Sequence, residues 1–249
     1  MGGAIKAVAF DLDGTLYPNY RLYSRLLPQL MLHPLLYAAF TKARKKLHSD
    51  PEAILENQMK SKATIPKTEV LGQPQIGSFY EKQALLVSES LGKDMEKTRE
   101  LLERMVYQSW KKLFSGIKLF PLVKETLAAF QGAGLRLALL SDFPPVQKLS
   151  LLGLDGFFDA VISTEETGAL KPSGIPFAVL VRSLSLPPAE ILYVGNSGRF
   201  DVEGSKSAGM KSALIRRGPF STVLVKQSSA EKADFVFRDY RQLQEFVLQ

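Results

Sequence analysis

The sequence predicts an α/β protein: a Rossmann-like, doubly wound parallel sheet with an inserted helical domain. Three observations predict this class. Short apolar segments alternate with helical patterns from Pro121 onward, which is typical of a parallel sheet covered by helices on both faces. A further apolar segment of the same kind stands apart near the start of the chain. Between the two lie about a hundred residues with helical periodicity, more than a plain connection needs.

The first apolar segment, residues 5–10, is rich in strand formers and is predicted to be a β-strand. Asp11, Asp13 and Gly14 follow it with turn chemistry, so the strand delivers two aspartates at its carboxyl end. The long segment that follows is predicted to be mostly helical, because apolar side chains recur every three or four residues among charged ones at residues 79–114. Residues 61–78 are polar, contain prolines and glycines, and are predicted to form a loop.

The second half of the chain continues as alternating helices and strands. Helices are predicted near residues 122–131, 146–152, 177–184, 202–208 and 240–248, and strands at residues 135–140, 160–162, 191–194, 212–215 and 234–237. The strands are continuous apolar runs, as expected when both faces of a sheet are covered. We therefore predict a core domain made of residues 1–15 and 118–249 and a helical domain made of residues 16–117.

Composition excludes several classes of protein. The chain has 249 residues, of which 45% are hydrophobic and 23% charged, unlike a collagen-like or disordered chain. The net charge of +7 favours anionic partners such as small phosphorylated metabolites, nucleic acid or anionic lipid, and does not choose among them. We expect no nucleic-acid binding because no recognised module accompanies the charge. The absence of cysteine excludes disulfides and cysteine nucleophiles, and it fits the reducing cytoplasm where we expect the protein to act. No oligomeric state is predicted.

One apolar stretch, residues 26–40, tests for a membrane segment. It is shorter than the roughly 20 residues that a bilayer span needs and is interrupted by prolines, a glutamine and a histidine. We therefore predict no transmembrane segment. The basic run that follows, residues 42–46, is predicted to be the solvated end of an apolar helix, in preference to a membrane-surface anchor.

Polar side chains follow several predicted strands at the point where each strand ends. They are Asp11 and Asp13 after the first strand, Ser141 and Asp142 after the second, Lys171 beyond the third, and Asn196 and Asp201 beyond the fourth. Ligands of such sheets bind at the carboxyl ends of the strands, so we expect these side chains to converge. Each is ordinary turn or capping chemistry by itself. Their joint placement at strand ends favours a functional site.

The residue types at these strand ends indicate phosphoryl chemistry. Asp11 and Asp13 lie two residues apart on extended chain and point the same way, so one can meet a substrate while the other moves a proton. Their oxygens, without cysteine and without histidine at a strand end, suit a hard ion such as Mg²⁺. Lys171 offers a compact cation and Ser141 a hydroxyl donor, as expected around a phosphoryl group.

These motifs resemble those of the haloacid dehalogenase superfamily of Asp-dependent hydrolases, in the branch with a helical cap domain after the first strand. The matching segments are residues 10–15 (FDLDGT), 140–141 (LS), 171–172 (KP), 194–204 (VGNSGRFDVEG) and 208–210 (AGM). The resemblance covers the core, about residues 4–15 and 119–249, whereas the cap matches in position and helical character. Dehalogenases of the superfamily lack an acidic residue at the position of Asp13, so the resemblance implies a phosphoric monoester hydrolase.

The resemblance also implies a role for each residue. Asp11 would be the nucleophile that forms an aspartyl-phosphate, and Asp13 would act first as an acid and then as a base. Lys171 would offset the negative charge of Asp11 and of the phosphate. The implied phosphate-binding residues are Ser141, Asp142 and Lys171. The implied ligands of Mg²⁺ are Asp11, the backbone carbonyl of Asp13, Asn196 and Asp201.

Two positions depart from the family pattern. Asn196 stands where the family usually has aspartate, and Asp142 stands where asparagine is frequent. We expect a Mg²⁺-dependent phosphatase of a small phosphomonoester that works through an aspartyl-phosphate. A phosphomutase or a nucleotide monophosphatase of the same branch stays open. So does a weakly active protein that binds a phosphorylated ligand, which the missing charge at Asn196 would favour.

Overall fold

The computed structural model describes residues 4–49, 76–217 and 232–249. Parallel strands form one sheet: β1 Ala7–Phe10, β2 Arg136–Ser141, β3 Ala160–Ser163, β4 Ile191–Gly195, β5 Lys211–Ile215 and β6 Phe235–Phe237. Their order across the sheet is β3-β2-β1-β4-β5-β6. The chain therefore runs outward from β1 in both directions, and the predicted parallel sheet is confirmed.

Helices surround the sheet and form the long insertion after β1. In the described ranges they are α1 Asn19–Leu32, α2 Pro34–Ser49, α3 Ile76–Leu91, α4 Met95–Leu102, α5 Trp110–Phe114, α6 Val123–Gly132, α7 Val146–Leu152, α8 Gly174–Leu184, α9 Gly204–Ser207 and α10 Tyr240–Leu248. A π-helical turn at Glu103–Tyr107 extends α4, and another at Gly198–Glu203 precedes α9. Short 3₁₀ turns lie at Glu165–Thr167 and Pro188–Glu190.

The side chains of β1 show that the sheet is covered on both faces. Val8 and Phe10 pack in one hydrophobic cluster with residues of α6 and α10, whereas Ala7 and Ala9 pack in another with residues of α8. All of them are fully buried. Burial on both faces explains why the strands are continuous apolar runs in the sequence, and it confirms the doubly wound arrangement.

The helical insertion has a hydrophobic cluster of its own. Its members come mainly from α2, α3 and α4 and include Leu36, Phe40, Val87 and Leu102. A separate cluster is what a second domain requires. It supports the predicted division into a core of residues 1–15 and 118–249 and a cap of residues 16–117, which stays a prediction. Below, the cap means the described residues within 16–117.

Three helices begin earlier than the sequence predicts. Helix α8 begins at Gly174 and not near residue 177, because the side chain of Ser173 accepts a hydrogen bond from the N–H of Ile175 (3.3 Å) and caps the helix. Helix α3 begins at Ile76, inside the predicted loop 61–78, of which residues 61–75 lie outside the described ranges. Gly77 weakens the helical pattern at that point. The helix predicted near residue 202 begins with the π-helical turn at Gly198, because the side chain of Ser197 accepts a hydrogen bond from the N–H of Phe200 (3.1 Å) and caps the turn.

The apolar stretch 26–40 is divided between two helices. Helix α1 contains Pro28 and ends at Leu32, and α2 begins at Pro34. Neither of these, nor any other helix in the described part of the chain, has the length and hydropathy to cross a membrane.

Candidate active site

The carboxyl ends of three strands meet at one edge of the sheet. Strand β1 lies between β2 and β4, and Phe10 is in register with Leu139 and Val194. The residues that follow these positions on each strand therefore emerge side by side, as expected for parallel strands. This edge carries the predicted site residues.

Lys171 joins two aspartates at this edge. Its Nζ lies 2.8 Å from Oδ1 of Asp11, 2.8 Å from Oδ1 of Asp201 and 3.2 Å from the hydroxyl oxygen of Tyr193. The three charged side chains are all buried. Two carboxylates share one ammonium group, so the cluster carries an excess negative charge when both are ionised.

Burial and neighbouring charges set the protonation of this cluster. Burial raises the pKa of Asp11 to about 7; Lys171 opposes this increase and Asp201 adds to it. Burial would lower the pKa of Lys171, but the charges of Asp11 and Asp201 outweigh burial and raise that pKa well above its ordinary value. Lys171 therefore stays a cation. The second oxygen of Asp11, Oδ2, accepts a hydrogen bond from the hydroxyl of Thr15 (2.8 Å), which fixes the orientation of the carboxylate.

Asp13 lies in a different environment from Asp11. Nζ of Lys148 lies 2.9 Å from its Oδ1 and 2.8 Å from its Oδ2, and the hydroxyl of Tyr17 donates a hydrogen bond to Oδ1. The side chain of Asp13 is 22% exposed, whereas that of Lys148 is 1% exposed. A partly exposed carboxylate held by two donors can meet a substrate and exchange a proton with it.

The backbone carbonyl of Asp13 faces two side-chain amides. Nδ2 of Asn19 lies 3.0 Å from this oxygen and Nδ2 of Asn196 lies 3.4 Å from it. Gly14 adopts a positive φ of 95° and lies directly under both amides, so a Cβ at this position would collide with Asn19 and Asn196. A glycine is therefore required both by its backbone conformation and by the space around it.

Asp201 braces the loop after β4. Its Oδ2 accepts hydrogen bonds from the backbone N–H groups of Asn196 (3.0 Å) and Ser197 (2.9 Å), while Oδ1 meets Lys171. A Cβ at Gly195 would collide with the Asp201 side chain, so the loop and the carboxylate are closely packed. Both oxygens of Asp201 already have protein partners.

The oxygens around Asp13 suit a hard divalent cation. The Asp11 carboxylate and the Asp13 carbonyl are ligand types that Mg²⁺ accepts. So is the oxygen of a side-chain amide such as Asn19 or Asn196, whose nitrogens face the Asp13 carbonyl here. The amide oxygen of Asn19 is buried without a hydrogen-bond partner, so an acceptor here is unsatisfied. Within the described ranges, acidic and histidine side chains form no group of three or more that could hold a metal ion.

Ser141 and Asp142 follow β2. The Ser141 side chain is buried, and its Oγ accepts a long hydrogen bond (3.4 Å) from the N–H of Phe143. Asp142 points toward the next loop: its Oδ1 accepts hydrogen bonds from the hydroxyl of Thr164 (2.9 Å) and the N–H of Lys171 (3.4 Å). Burial would raise the pKa of Asp142, but Lys171 and the nearby Arg44 outweigh burial and lower it. In this arrangement Asp142 holds loops together.

Two side chains of α2 bring the cap onto the core. Arg44 forms a buried ion pair with Glu165 and donates from Nη2 to the carbonyl oxygen of Asp142 (2.9 Å). Nδ1 of His48, one turn later, lies 2.5 Å from the carbonyl oxygen of Lys171. The basic run 42–46 is therefore not entirely a solvated helix end: that prediction is wrong for Arg44, which is 7% exposed because Glu165 pairs with it.

Sequence reasoning missed several groups at this site, three of which are Lys148, Arg44 and Tyr17. Lys148 was not identified, although it lies one helical turn before Leu152 and thus on the buried face of α7. Arg44 lies one turn after Phe40 in the same way. Tyr17 follows the first motif in a short apolar segment. Helical spacing marks all but Tyr17 as inward-facing, but only the fold shows which carboxylate each one meets.

The fold is a doubly wound parallel sheet covered by a helical insertion. A buried group of two aspartates and a lysine lies at its central strand ends, and together these features define a class of α/β enzymes with a capped site. The chain belongs to the haloacid dehalogenase-like hydrolases, because the model of that family matches residues 5–209. The family resemblance of the motifs is thereby confirmed, and the protein is a hydrolase.

Individual relatives agree with this family. A glyceraldehyde 3-phosphate phosphatase of Methanopyrus kandleri is 29% identical over 219 residues, which cover 87% of this chain and 86% of the relative. A phosphoglycolate phosphatase of Yersinia pestis is 30% identical over 209 residues, which cover 83% of this chain and 78% of the relative. A crystal structure of a phosphatase of the superfamily from Thermococcus onnurineus shares the fold, with a TM-score of 0.58, 24% identity and 98% of each chain covered.

Proposed function

We propose that the protein is a Mg²⁺-dependent phosphatase that hydrolyses a small phosphomonoester through an aspartyl-phosphate on Asp11. The observation that carries the proposal is the contrast between two neighbouring aspartates. Asp11 is buried against Lys171, whereas Asp13 is partly exposed and held by Lys148. A nucleophile and an acid/base two residues apart are what a two-step phosphoryl transfer requires. Relatives named for phosphatase activity on small substrates support the same reaction class.

In the first step a carboxylate oxygen of Asp11 attacks phosphorus, and the bond between phosphorus and the ester oxygen breaks. The leaving oxygen takes a proton from Asp13, so an alcohol leaves as a neutral molecule. Lys171 offsets the charge of Asp11 and of the phosphoryl oxygens while the new bond forms. Ser141 and the neighbouring N–H groups after β2 would bind those oxygens. Asp142, engaged with Thr164, would support this loop.

In the second step Asp13 takes a proton from water, and the water oxygen attacks phosphorus. The acyl-phosphate bond to Asp11 breaks, which releases inorganic phosphate and restores the carboxylate. Lys148 and Tyr17 would position Asp13 in both steps, because they hold the same carboxylate from two sides.

Mg²⁺ would be held by Asp11, the Asp13 carbonyl and Asn196, and it would neutralise negative charge on the phosphoryl group and the nucleophile. Asp201 would act on this site indirectly, by holding Lys171 and the loop that carries Asn196. Asn19, whose amide oxygen lacks a partner, is a further candidate donor. Removal of Mg²⁺ by a chelator should therefore abolish turnover.

A screen of phosphorylated metabolites tests the proposal. Release of inorganic phosphate is measured with and without Mg²⁺ for the wild-type protein, for Asp11→Asn and for Asp155→Asn, a control in an exposed loop. We expect Mg²⁺-dependent release by the wild type and the control, and none by Asp11→Asn. Transfer of phosphate within a sugar without release would identify a phosphomutase. Binding of phosphorylated ligands without any turnover would identify a binding protein, and either result would refute the proposal.

A further inference from the structure

A cavity of about 400 Å³ lies between the cap and Asp13. Its lining comes from α1, α2, the segment 105–113 and Phe143 of the core. A cavity of this size can enclose a small organic group. The inference below rests on the proposed function, because a phosphomonoester whose ester oxygen meets Asp13 would extend its organic group into this cavity.

Most of the lining side chains are apolar or aromatic. They include Leu22, Leu30, Phe40, Val106 and Phe143. The rings of Phe40 and Phe143 are stacked with centroids 6.4 Å apart and planes at 28°. Such surfaces favour apolar groups by burial and aromatic groups by ring contact.

The polar side chains in the same lining mostly have partners within the protein. The hydroxyl of Tyr37 donates to Oε1 of Gln29 (2.7 Å), and that of Thr41 donates to the carbonyl oxygen of Tyr37 (2.7 Å). The hydroxyl of Ser109 donates to the carbonyl oxygen of Val106 (3.0 Å). These groups are therefore not available to bind the hydroxyl groups of a polyol, except at the cost of their present hydrogen bonds.

The cation in the described lining is Arg44, and it is already engaged. Its Nη1 pairs with Glu165, its Nη2 donates to the carbonyl of Asp142, and its guanidinium carbon lies 4.0 Å from the centroid of the Phe143 ring. Lys148 nearby is held by both oxygens of Asp13. Within the lining that the structure describes, a carboxylate on the organic group of a substrate would lie near apolar walls without a cation of its own, which is costly.

We propose that this site takes phosphomonoesters whose organic group is uncharged and aromatic, with one or two rings. The group would lie in the cavity against its apolar and aromatic side chains while the phosphate meets Asp11. On this basis the chain differs in substrate class from the relative named for phosphoglycolate, whose organic group carries a carboxylate.

The test compares two ligand types with matched leaving groups. 2-Phenylethyl phosphate and phosphoglycolate are both esters of primary alcohols, so a difference in kcat/KM reflects the organic group. We expect kcat/KM to be about tenfold to a hundredfold higher for 2-phenylethyl phosphate, the usual range for apolar pocket discrimination. An equal or higher value for phosphoglycolate would overturn the proposal.

A binding measurement separates this inference from the proposed function. Calorimetry in the presence of Mg²⁺ gives the dissociation constants of two non-hydrolysable ligands, 2-phenylethylphosphonate and phosphonoacetate. Tighter binding of the aromatic phosphonate by a protein without turnover would refute the phosphatase and leave the ligand class standing. Tighter or equal binding of phosphonoacetate would refute the ligand class, whatever the turnover.

Two arginine variants on α1 locate the selectivity. Leu30 lines the cavity, whereas Leu27 on the same helix is 53% exposed and does not line it. We expect Leu30→Arg to reduce the preference for the aromatic substrate by about tenfold, because it adds a cation and fills apolar space. Leu27→Arg should leave the preference unchanged. If Leu30→Arg and Leu27→Arg show the same ratio of kcat/KM for the aromatic substrate over phosphoglycolate, the aromatic group binds elsewhere.

Discussion

Replacement of Lys148 by methionine tests how Asp13 is held in place. Methionine keeps an apolar stem of similar length and removes the cation that lies 2.8 and 2.9 Å from the two oxygens of Asp13. Asp13 would retain the hydroxyl of Tyr17 as a donor. We expect the carboxylate to lose its orientation toward the substrate, because one of its two holding groups is gone.

The size of the effect follows from the exposure of the pair. The Asp13 side chain keeps 22% of its surface exposed, so water can replace part of the lost interaction. Hydrogen bonds to charged groups contribute about 1.5–3 kcal/mol, which corresponds to about a tenfold to hundredfold change in rate. We expect kcat to fall by this factor for esters of poor leaving groups, with a smaller loss for good ones that need less protonation.

The assay is kcat and KM for a series of phosphomonoesters of increasing leaving-group pKa. The control is Lys124→Met, which removes an exposed lysine from α6. We expect the control to match the wild type and KM to change little in Lys148→Met. A lower Tm with kcat within about twofold of the wild type would assign Lys148 to stability alone. An equal loss across the whole leaving-group series would also refute its action through Asp13.

Three further predictions follow from other contacts. Arg44→Met should lower the free energy of unfolding by about 3–5 kcal/mol, because it leaves Glu165 buried without its cation. Denaturant unfolding measures this free energy, and a loss below about 1 kcal/mol would show that the ion pair is dispensable for stability. Asp201→Asn should lower the pKa of Asp11 below about 7, because Asp201 contributes to raising it; carbon-13 NMR of the metal-free protein measures this, and an unchanged or higher pKa would contradict it. Gly14→Ala should weaken Mg²⁺ binding, since a Cβ there displaces the side-chain amides of Asn196 and Asn19. Calorimetry measures the affinity, and an unchanged value would contradict a role for these amides in holding the ion.

The sheet was predictable from the sequence because its physical cause is local. Strands buried on both faces must be continuous apolar runs, and each predicted strand lies within two residues of the observed bounds at either end. Placement of Asp11 and Lys171 at one sheet edge was predictable for a related reason. Parallel strands bring their carboxyl ends together whatever the intervening sequence.

The partners of buried charges were not predictable in this way. Lys148 and Arg44 each stand among apolar residues on a helix, and the sequence shows that they can face inward but not which carboxylate they meet. The pairing of Arg44 with Glu165 joins residues 121 positions apart. Such a contact depends on how the cap lies on the core, which no local pattern specifies. The side chain of Asp142 likewise turns to Thr164 because of a neighbouring loop.

The location of the phosphoryl group during turnover tests the role of Asp11 most directly. The protein is mixed with substrate and Mg²⁺, quenched in acid within a single turnover, and digested for peptide mass spectrometry. We expect one phosphoryl group on Asp11 in the wild type and in the Asp155→Asn control, and none in Asp11→Asn. Phosphate bound to any other residue, or turnover that persists in Asp11→Asn, would contradict the assignment of Asp11 as the nucleophile.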